Sequence, residues 1–237
     1  MPRRFAPRND LAAFTMAEVL ITLGVIGVVA ALTLPSLITN IQNKGFTERL
    51  IKLYSAIGQA TLSVSQEFGE EPKNWTFTNY LTDKDGSASN LKIVSLYQKY
   101  LKAVKVCGYF ECVLDNKEYS FLNGASDPRP FYSAYLLYHA VDLIKLADGS
   151  TIGILFDENS NDIFWPLVHK GYKILYIVDV NGDKKPNRIG RDIFFLVLDK
   201  NTGKVMPHSV DDTSDCSTSD KGESCAAKII SEGKMNY

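Results

Sequence analysis

Residues 14–35 read FTMAEVLITLGVIGVVAALTLP, and this stretch decides the architecture that the rest of the chain must fit. The 21 residues from Phe14 to Leu34 contain one ionisable side chain, Glu18. As a helix they would extend roughly 31 Å, about the thickness of the hydrocarbon core of a bilayer. The sequence therefore predicts one membrane-spanning helix near the N-terminus.

A basic segment precedes the apolar stretch. Residues 1–13 carry Arg3, Arg4 and Arg8 against a single acid, Asp10. Positive charge on this flank favours a cytoplasmic N-terminus, which would leave about 200 residues on the extracytoplasmic side.

Glu18 is the residue that a plain membrane anchor does not explain. A carboxylate near the centre of a membrane helix is unfavourable by about 2.5 to 3.5 kcal/mol, less near an end, and such residues usually have a specific partner. Cleavage between Ala13 and Phe14 would create an α-amino group one helical turn from Glu18, in the same chain or in a neighbouring copy. A filament of staggered helices could then neutralise its buried carboxylates.

The segment AFTMAE at residues 13–18, followed by an apolar helix, resembles the class III signal of type IV pilins and type II secretion pseudopilins. The resemblance implies that a prepilin peptidase cuts after Ala13, where Gly is usual, and that Phe14 becomes a methylated N-terminus. It also implies that Glu18 guides assembly and that Pro35 kinks the helix.

The resemblance implies polymerisation as the function and a pilin-like fold. The chain would be a structural subunit of a type IV pilus or a type II secretion pseudopilus, and not an enzyme. Its partners would be other pilin or pseudopilin subunits, the prepilin peptidase and the inner-membrane assembly platform. It would cross the bacterial inner membrane once, with its C-terminal domain extracytoplasmic, before it enters the filament.

Two other interpretations of the N-terminus remain open. A cleaved secretory signal peptide would also have a basic start, an apolar segment and small residues such as Ala30 and Ala31 near its cleavage site. Its apolar segment would be too long here, and Glu18 would interrupt it. A simple signal anchor would carry Glu18 near the interface by chance.

Beyond Pro35 the apolar residues recur every three or four positions up to Phe68, which predicts that the helix continues with one apolar face. Gly69 and Pro72 are expected to end it, and Pro35 and Gly45 to bend it. The predicted organisation is a leader (1–13), a transmembrane and assembly helix (14–35), an amphipathic helix half (36–69) and an extracytoplasmic globular domain (70–237).

The globular part predicts an α+β arrangement. A second helix is expected over residues 91–104, and strands follow it. The Asp148-Gly149 pair predicts a hairpin turn because it tolerates positive φ. We expect an antiparallel sheet of four or more strands packed on the outer half of the long helix, and a polar tail after Pro207. The strand-like runs are residues 138–146, 151–156, 172–180, 192–198 and 204–206.

The chain has four cysteines in a part that should lie outside the cytoplasm, so disulfides are expected. Of the three connectivities we favour the pairing of near neighbours, which closes two short loops: Cys107 with Cys112, and Cys216 with Cys225. Free buried thiols are the alternative. A zinc site is disfavoured because no histidine lies close by at ligand spacing.

Residues 178–192, VDVNGDKKPNRIGRD, form a loop whose composition suits a cation. Side-chain oxygens alternate at Asp179, Asn181 and Asp183, and Asp192 or backbone carbonyls could complete six or more ligands for Ca²⁺. The loop lacks the glycine and the closing glutamate of an EF-hand. The alternative is a capped turn, in which these side chains bind local amides. The stretch resembles a loop that recurs in pilin-like and pseudopilin proteins, some of which bind calcium.

Composition and motifs narrow the other classes of function. The formal charge of −1, or −3 without residues 1–13, gives no sign of a nucleic-acid-binding protein. His139, His169 and His208 are far apart, and no nucleophile, Walker or dinucleotide motif is present, so an enzyme such as a tethered hydrolase is disfavoured. The rival to a filament subunit is a monomeric, membrane-anchored extracytoplasmic protein that binds a ligand or calcium.

Overall fold

The computed structural model describes residues 15–76, 88–107, 119–126, 142–156, 172–182 and 184–237. It divides into two compact units, residues up to Gln42 and residues from Asn43. The long N-terminal helix and the antiparallel sheet confirm the predicted α+β layout. The elements are α1 (Met16–Phe68), a 3₁₀ turn (Pro72–Asn74), α2 (Ala88–Tyr100), β1 (Lys105–Cys107), β2 (Asp142–Lys145), β3 (Thr151–Phe156), β4 (Tyr172–Asp179), β5 (Ile193–Asp199), β6 (Val205–Pro207) and α3 (Cys225–Glu232).

Helix α1 is continuous over 53 residues, with Pro35 inside it. It ends at Phe68 as predicted, because Gly69 adopts a positive φ of 85° and donates its N–H to the carbonyl of Ser65 at 3.0 Å. From Asn43 onward one stripe of the helix is buried at three- and four-residue steps, as an amphipathic helix requires. The buried apolar residues of this stripe are Leu50, Leu53, Ile57, Ala60 and Val64.

The six described strands form one antiparallel sheet in chain order. The predicted hairpin is confirmed: β2 and β3 pair from Lys145 opposite Thr151, and the Leu146 N–H donates to the Ser150 carbonyl at 2.9 Å. Gly149 in this turn has a φ of 85°. β4 and β5 pair along seven residue positions and form the centre of the sheet with β3.

The predicted end of α2 was wrong. The helix stops at Tyr100, and Lys102 adopts a positive φ of 53°. Val104, which the apolar spacing assigned to the helix, instead donates its N–H to the Lys145 carbonyl at 2.9 Å and leads into β1. Apolar spacing alone misled here because Val104 continues the helical period beyond the point where the backbone turns.

Both faces of the sheet are buried. One face carries Ile152, Ile154 and Tyr176 and packs with the stripe of α1 and with α2. The other face carries Leu155, Leu175, Ile177, Phe195 and Val197 and packs with Phe121 and Ile189. The packing predicted from the sequence, on the outer half of the long helix, concerns the first of these faces. The run IFFLVL in β5 signals burial on both faces, since a one-sided strand would alternate with polar residues.

Three buried hydroxyl groups join α1, α2 and β4 inside the core. The Thr61 hydroxyl donates to the Ile57 carbonyl at 2.8 Å. The Tyr97 hydroxyl lies 2.7 Å from that of Thr61 and 2.6 Å from that of Tyr176. This chain of hydrogen bonds satisfies three polar groups that would otherwise be costly to bury.

The C-terminal tail contains a helix that the sequence analysis missed. α3 has only eight residues, too few for a clear helical period. The Asp215 carboxylate accepts hydrogen bonds from the backbone N–H groups of Glu223 at 2.9 Å and Ser224 at 3.0 Å, at the start of α3. The predicted disulfide between Cys216 and Cys225 is present. The proposed partners Cys107 and Cys112 cannot be compared, because Cys112 and the side chain of Cys107 lie outside the described residues.

Candidate functional sites

The first candidate site is the apolar half of α1. Within the described residues, α1 is the one helix long and apolar enough to cross a membrane, by length and composition. None of its most apolar stretch is buried, and Leu20 and Leu32 are 67% and 76% exposed. The helix is therefore compatible with a single membrane span, as the sequence predicted.

Glu18 lies in the first turn of α1 and has a partner within its own chain. Its carboxylate accepts hydrogen bonds from the N–H and the hydroxyl of Thr15, both at 2.9 Å. In return, the Glu18 N–H donates to the Thr15 hydroxyl at 3.2 Å. Thr15 and Glu18 thus form a capping box, which satisfies N–H groups that a helix start leaves unpaired. The cleavage pair Ala13 and Phe14 lies outside the described residues.

The capping box changes what the presence of Glu18 implies about function. The partner predicted for Glu18 from the sequence is the α-amino group of Phe14, although Thr-x-x-Glu is also a recognised capping pattern. Glu18 now has a structural role in a single chain. The presence of Glu18 therefore does not distinguish a filament subunit from a simple anchor. Its charge does distinguish them, because glutamine completes a capping box equally and only the filament requires a carboxylate.

The second candidate site is the loop between β4 and β5, whose two buried acids hold backbone amides. The Asp179 carboxylate accepts hydrogen bonds from the N–H groups of Asn181 at 3.1 Å and Gly182 at 2.7 Å. The Asp192 carboxylate accepts from the N–H groups of Asn187 at 2.8 Å and Arg188 at 2.6 Å. These are the bonds expected of the capped turn that the sequence analysis kept as its alternative.

The same loop also has buried oxygens for which capping gives no partner. Asn181 and Asn187 are each only 6% exposed, and their buried amide oxygens accept no hydrogen bond from the described residues. The Asn181 side chain lies next to Asp192, and its Nδ2 donates to the Lys185 carbonyl at 3.1 Å. A buried acceptor without a partner is costly, so this end of the loop has spare capacity for a donor or a cation.

Asp192 is fully buried, and burial raises the pKa of its carboxyl group above the ordinary value. Hydrogen bonds from Arg188, Asn187 and Asn181 act in the opposite direction without cancelling the shift. A cation beside the carboxylate would favour its charged form.

Of the four side chains predicted as calcium ligands, the structure brings Asn181 and Asp192 together. It also places Asn187, which was not among the predicted ligands, next to Asp192. Asp179 is occupied by backbone amides, and Asp183 lies outside the described residues. Among the described residues, no group of three or more His, Cys, Asp or Glu side chains could hold a metal. Alternation of Asp and Asn was the signal used, and Asn187 lies outside that alternation.

Neighbouring segments hold the loop from two sides. Arg49 of α1 donates from Nη1 to the Val180 carbonyl at 3.0 Å. A Cβ on Gly182 would overlap the carbonyl oxygen of Gly149, so the loop lies against the backbone of the β2–β3 turn with no room for a side chain at residue 182. On the tail side, the Tyr237 hydroxyl donates to the Gly190 carbonyl.

His208, the one histidine among the described residues, packs against aromatic rings. His208 is buried, and its ring packs edge-on against Tyr172 and Phe195, with centroids 5.8 and 6.4 Å apart. His139 and His169 lie outside the described residues.

A family model matches residues 36–206, more than half of the 237-residue chain, and its description reads "Family of unknown function (DUF6613)". The chain belongs to this family. The DUF6613 match includes the sheet and the β4–β5 loop, and it begins one residue after the apolar stretch 14–35. Neither a curated protein nor a solved structure matches the chain. The family description states no activity, so a function must be argued from the residues of the chain.

Proposed function

We propose that this DUF6613 protein is a structural subunit of a type IV pilus or a type II secretion pseudopilus, which polymerises through α1. In this proposal a prepilin peptidase removes residues 1–13, and Phe14 becomes the methylated N-terminus. The protein then waits in the bacterial inner membrane, with its domain on the extracytoplasmic side, until the assembly platform transfers it to the filament.

The observation that carries the proposal is the length of α1 together with the exposure of its first half. A membrane span needs about 20 residues, whereas α1 is unbroken for 53 residues, about 80 Å. The apolar side chains of residues 16–42 are exposed, and exposed apolar surface of this size requires a lipid or protein environment. Lipid supplies that environment before assembly, and α1 helices of neighbouring copies supply it in a filament.

The charge of Glu18 supplies a reason for assembly at a defined stagger. A carboxylate that enters an apolar filament core needs a compensating charge. The α-amino group of a mature Phe14 in a neighbouring copy would provide one. Because Thr15 already donates hydrogen bonds to the Glu18 carboxylate in the single chain, the experiment must separate the charge of Glu18 from its role in the capping box.

Three variants make that separation. Glu18→Gln removes the charge and retains the side chain that a capping box uses; Thr15→Ala removes the cap and retains the charge; Glu18→Ala removes both. We expect both Glu18 variants to insert in the membrane and to be depleted from sheared surface filaments or from the secretion apparatus. Thr15→Ala should assemble. Normal assembly of Glu18→Gln, with equal defects in the two alanine variants, would leave only the capping role and contradict the filament mechanism.

The N-terminus provides an independent measurement. Mass spectrometry of the membrane fraction should find a mature chain that starts at methylated Phe14. An intact Met1, or a cut near Ala31, would contradict processing by a prepilin peptidase and favour an anchor or a secretory signal.

A second candidate function is that of a membrane-anchored extracytoplasmic protein that binds calcium without polymerising. It is favoured by the buried amide oxygens of Asn181 and Asn187, for which the described residues supply no hydrogen-bond donor, and by the position of Asn181 next to Asp192. Oxygen ligands of this kind suit a hard cation. Asp183 would be a further ligand in this proposal.

Calcium binding is tested by its effect on unfolding. Calcium at about one hundred times its dissociation constant should raise the free energy of unfolding by about 2.7 kcal/mol. Asn181→Ala should abolish the rise. Asp199→Ala is the control, because the Asp199 carboxylate accepts from the Thr202 N–H at 2.7 Å in the β5–β6 turn and does not belong to the proposed ligand set. Identical melting curves in calcium and in chelator would identify the β4–β5 loop as a capped turn only.

A further inference from the structure

A groove of about 440 Å³ lies between α1, the end of α2 and the β2–β3 hairpin. Its floor is apolar and includes the buried side chains of Leu53, Ala60 and Leu101. The groove exists because α1 presents small side chains here, Ala56 and Ala60, opposite the last turn of α2. Its volume lies within the range of about 300 to 1,000 Å³ that is typical of binding clefts.

The polar groups along the groove include donors that nothing in the described part of the chain uses. Lys52 is paired with Asp148 at 2.8 Å. Lys102, the Gln59 amide and the Ser63 hydroxyl line the groove without a hydrogen-bond or ion-pair partner among the described residues. An apolar floor with a spare ammonium group and spare hydrogen-bonding groups suits an acidic segment that also carries an apolar side chain.

Three exposed large apolar side chains lie close in sequence to residues that line the groove. Ile51 and Leu62 each precede a lining residue of α1 in sequence, and Val104 follows Lys102 by two residues. Outside this region the described part of the unit from Asn43 exposes one more large apolar side chain, Val210. The exposed fractions are 37% for Ile51, 65% for Leu62, 64% for Val104 and 46% for Val210.

Val210 lies in a turn whose chemistry complements the groove. Ser209 has a positive φ of 53°, and the Asp212 N–H donates to the Ser209 carbonyl at 3.1 Å, which closes the turn. The exposed acids Asp211 and Asp212 follow Val210 directly. The Asp212 carboxylate accepts a hydrogen bond from the Ser214 N–H at 3.0 Å, so the turn presents one apolar side chain, Val210, next to the carboxylate of Asp211.

We propose that this turn, residues 209–212, of one copy docks into the groove of a second copy of the chain. Val210 covers part of the apolar floor near Leu101, and the carboxylate of Asp211 lies next to Lys102 of the other copy. Turn and groove are different surfaces of the same chain, so one copy can dock to one neighbour through its turn and to another through its groove. Repetition of this heterologous contact without closure into a ring builds a filament. The inference rests on the filament function proposed above and names a contact between its globular domains.

One such contact is small and is expected to be weak by itself, since exposed ion pairs contribute little. In a filament the helices already hold the domains at high effective concentration, which makes a weak repeated contact effective.

The test uses two forms of the full-length chain in the same membranes, one with Gln59→Cys and one with Val210→Cys. A short bismaleimide reagent is applied to the membranes and to the sheared filament fraction. We expect a cross-linked heterodimer only when both forms are present. Asn201→Cys, in the exposed β5–β6 turn, replaces Val210→Cys as the matched control and should give severalfold less product. Equal products with Asn201→Cys, absence of the heterodimer, or a homodimer of Gln59→Cys alone would overturn the proposal.

Charge exchange provides the second readout. Lys102→Glu in the Gln59→Cys form, or Asp211→Lys in the Val210→Cys form, should lower the heterodimer yield severalfold, and the two changes together should restore it. No recovery in the exchanged pair would overturn the ionic part of the contact. Filaments without the heterodimer would refute the docking and leave the filament function standing. A heterodimer in membranes that form no filaments would support the docking and refute the filament function.

Discussion

The two halves of α1 have the same backbone conformation and opposite surroundings. In residues 16–42 the large apolar side chains are exposed, as in Leu32, which is 76% exposed, whereas in residues 43–68 those of one stripe are buried, as in Leu53, which is 1% exposed. The first half is apolar on all sides and the second half on one stripe. Helix formation is therefore common to both halves, while the way in which each half is stabilised differs. The domain stabilises the second half, and the first half needs lipid or other copies.

The largest difference in stability should come from truncating a leucine to alanine in each half of α1. Leu53→Ala should lower the free energy of unfolding of the domain by about 2 to 5 kcal/mol, because it opens a cavity in the core. Leu32→Ala should change it by less than about 0.5 kcal/mol, since its side chain is 76% exposed. Denaturant unfolding of the full-length protein in detergent, followed by the fluorescence of buried Trp75, measures both. Equal losses would contradict the division of α1 into two environments.

The next effect should come from the disulfide. Replacing both Cys216 and Cys225 by Ser opens a link between residues nine positions apart, and the chain-entropy model gives a loss of about 2 to 3 kcal/mol. Hydrogen exchange should then become faster at the amides of residues 43–68, which unfold with the domain, and remain unchanged at residues 16–42. Faster exchange along the whole of α1 would show that the helix unfolds as one unit.

A smaller effect is expected in the buried hydroxyl chain that ties the second half of α1 to α2 and β4. Tyr97 occupies the middle, so Tyr97→Phe breaks two hydrogen bonds and Tyr176→Phe breaks one. With about 1 kcal/mol for each bond, Tyr97→Phe should be the more destabilising variant in urea unfolding. Burial raises the pKa of Tyr97 to about 12, so its hydroxyl stays protonated at ordinary pH. The opposite order would show that one of the bonds contributes nothing.

The smallest effect is the pH dependence of two loops that contact α1 or lie beside it. Burial raises the pKa of Asp148, but hydrogen bonds from Lys52 and Ser150 outweigh it and hold the pKa at about 2. A lowered pKa stabilises the folded state above the unfolded value, and this stabilisation disappears as the pH falls from about 4 to 2. Asp148→Asn should therefore be more harmful at about pH 5 than at about pH 2.5.

Asp192 should show the opposite trend. Its pKa is raised by burial, so its contribution is present at low pH and is lost as the pH rises through the folded value. Asp192→Asn should be more harmful at about pH 4 than at about pH 7 in calcium-free buffer. Calcium bound to the loop would stabilise the carboxylate and reverse this order. Thermal unfolding across the pH range, with and without calcium, measures both trends.

Elements with a local sequence pattern could be predicted without the structure. The three- and four-residue spacing predicted the buried stripe of α1, Gly69 predicted its end, and Asp148-Gly149 predicted the β2–β3 turn. The near-neighbour pairing of Cys216 and Cys225 was also predictable, because a short loop brings the two residues together. Local signals were insufficient at Val104, which continued the helical period although the backbone had already turned at Lys102.

The hydrogen-bond partners of the polar groups in the β4–β5 loop could be known only from the tertiary structure. Asp179 and Asn181 look equivalent in the sequence, yet Asp179 binds two amides and Asn181 keeps an unpaired buried oxygen. Asn187 joined the candidate site because the fold places its N–H on Asp192. The apolar groove beside α1 likewise depends on where the end of α2 lies against Ala56 and Ala60. Burial and hydrogen-bond partners depend on segments far apart in the chain, whereas periodicity and turn chemistry depend on neighbours.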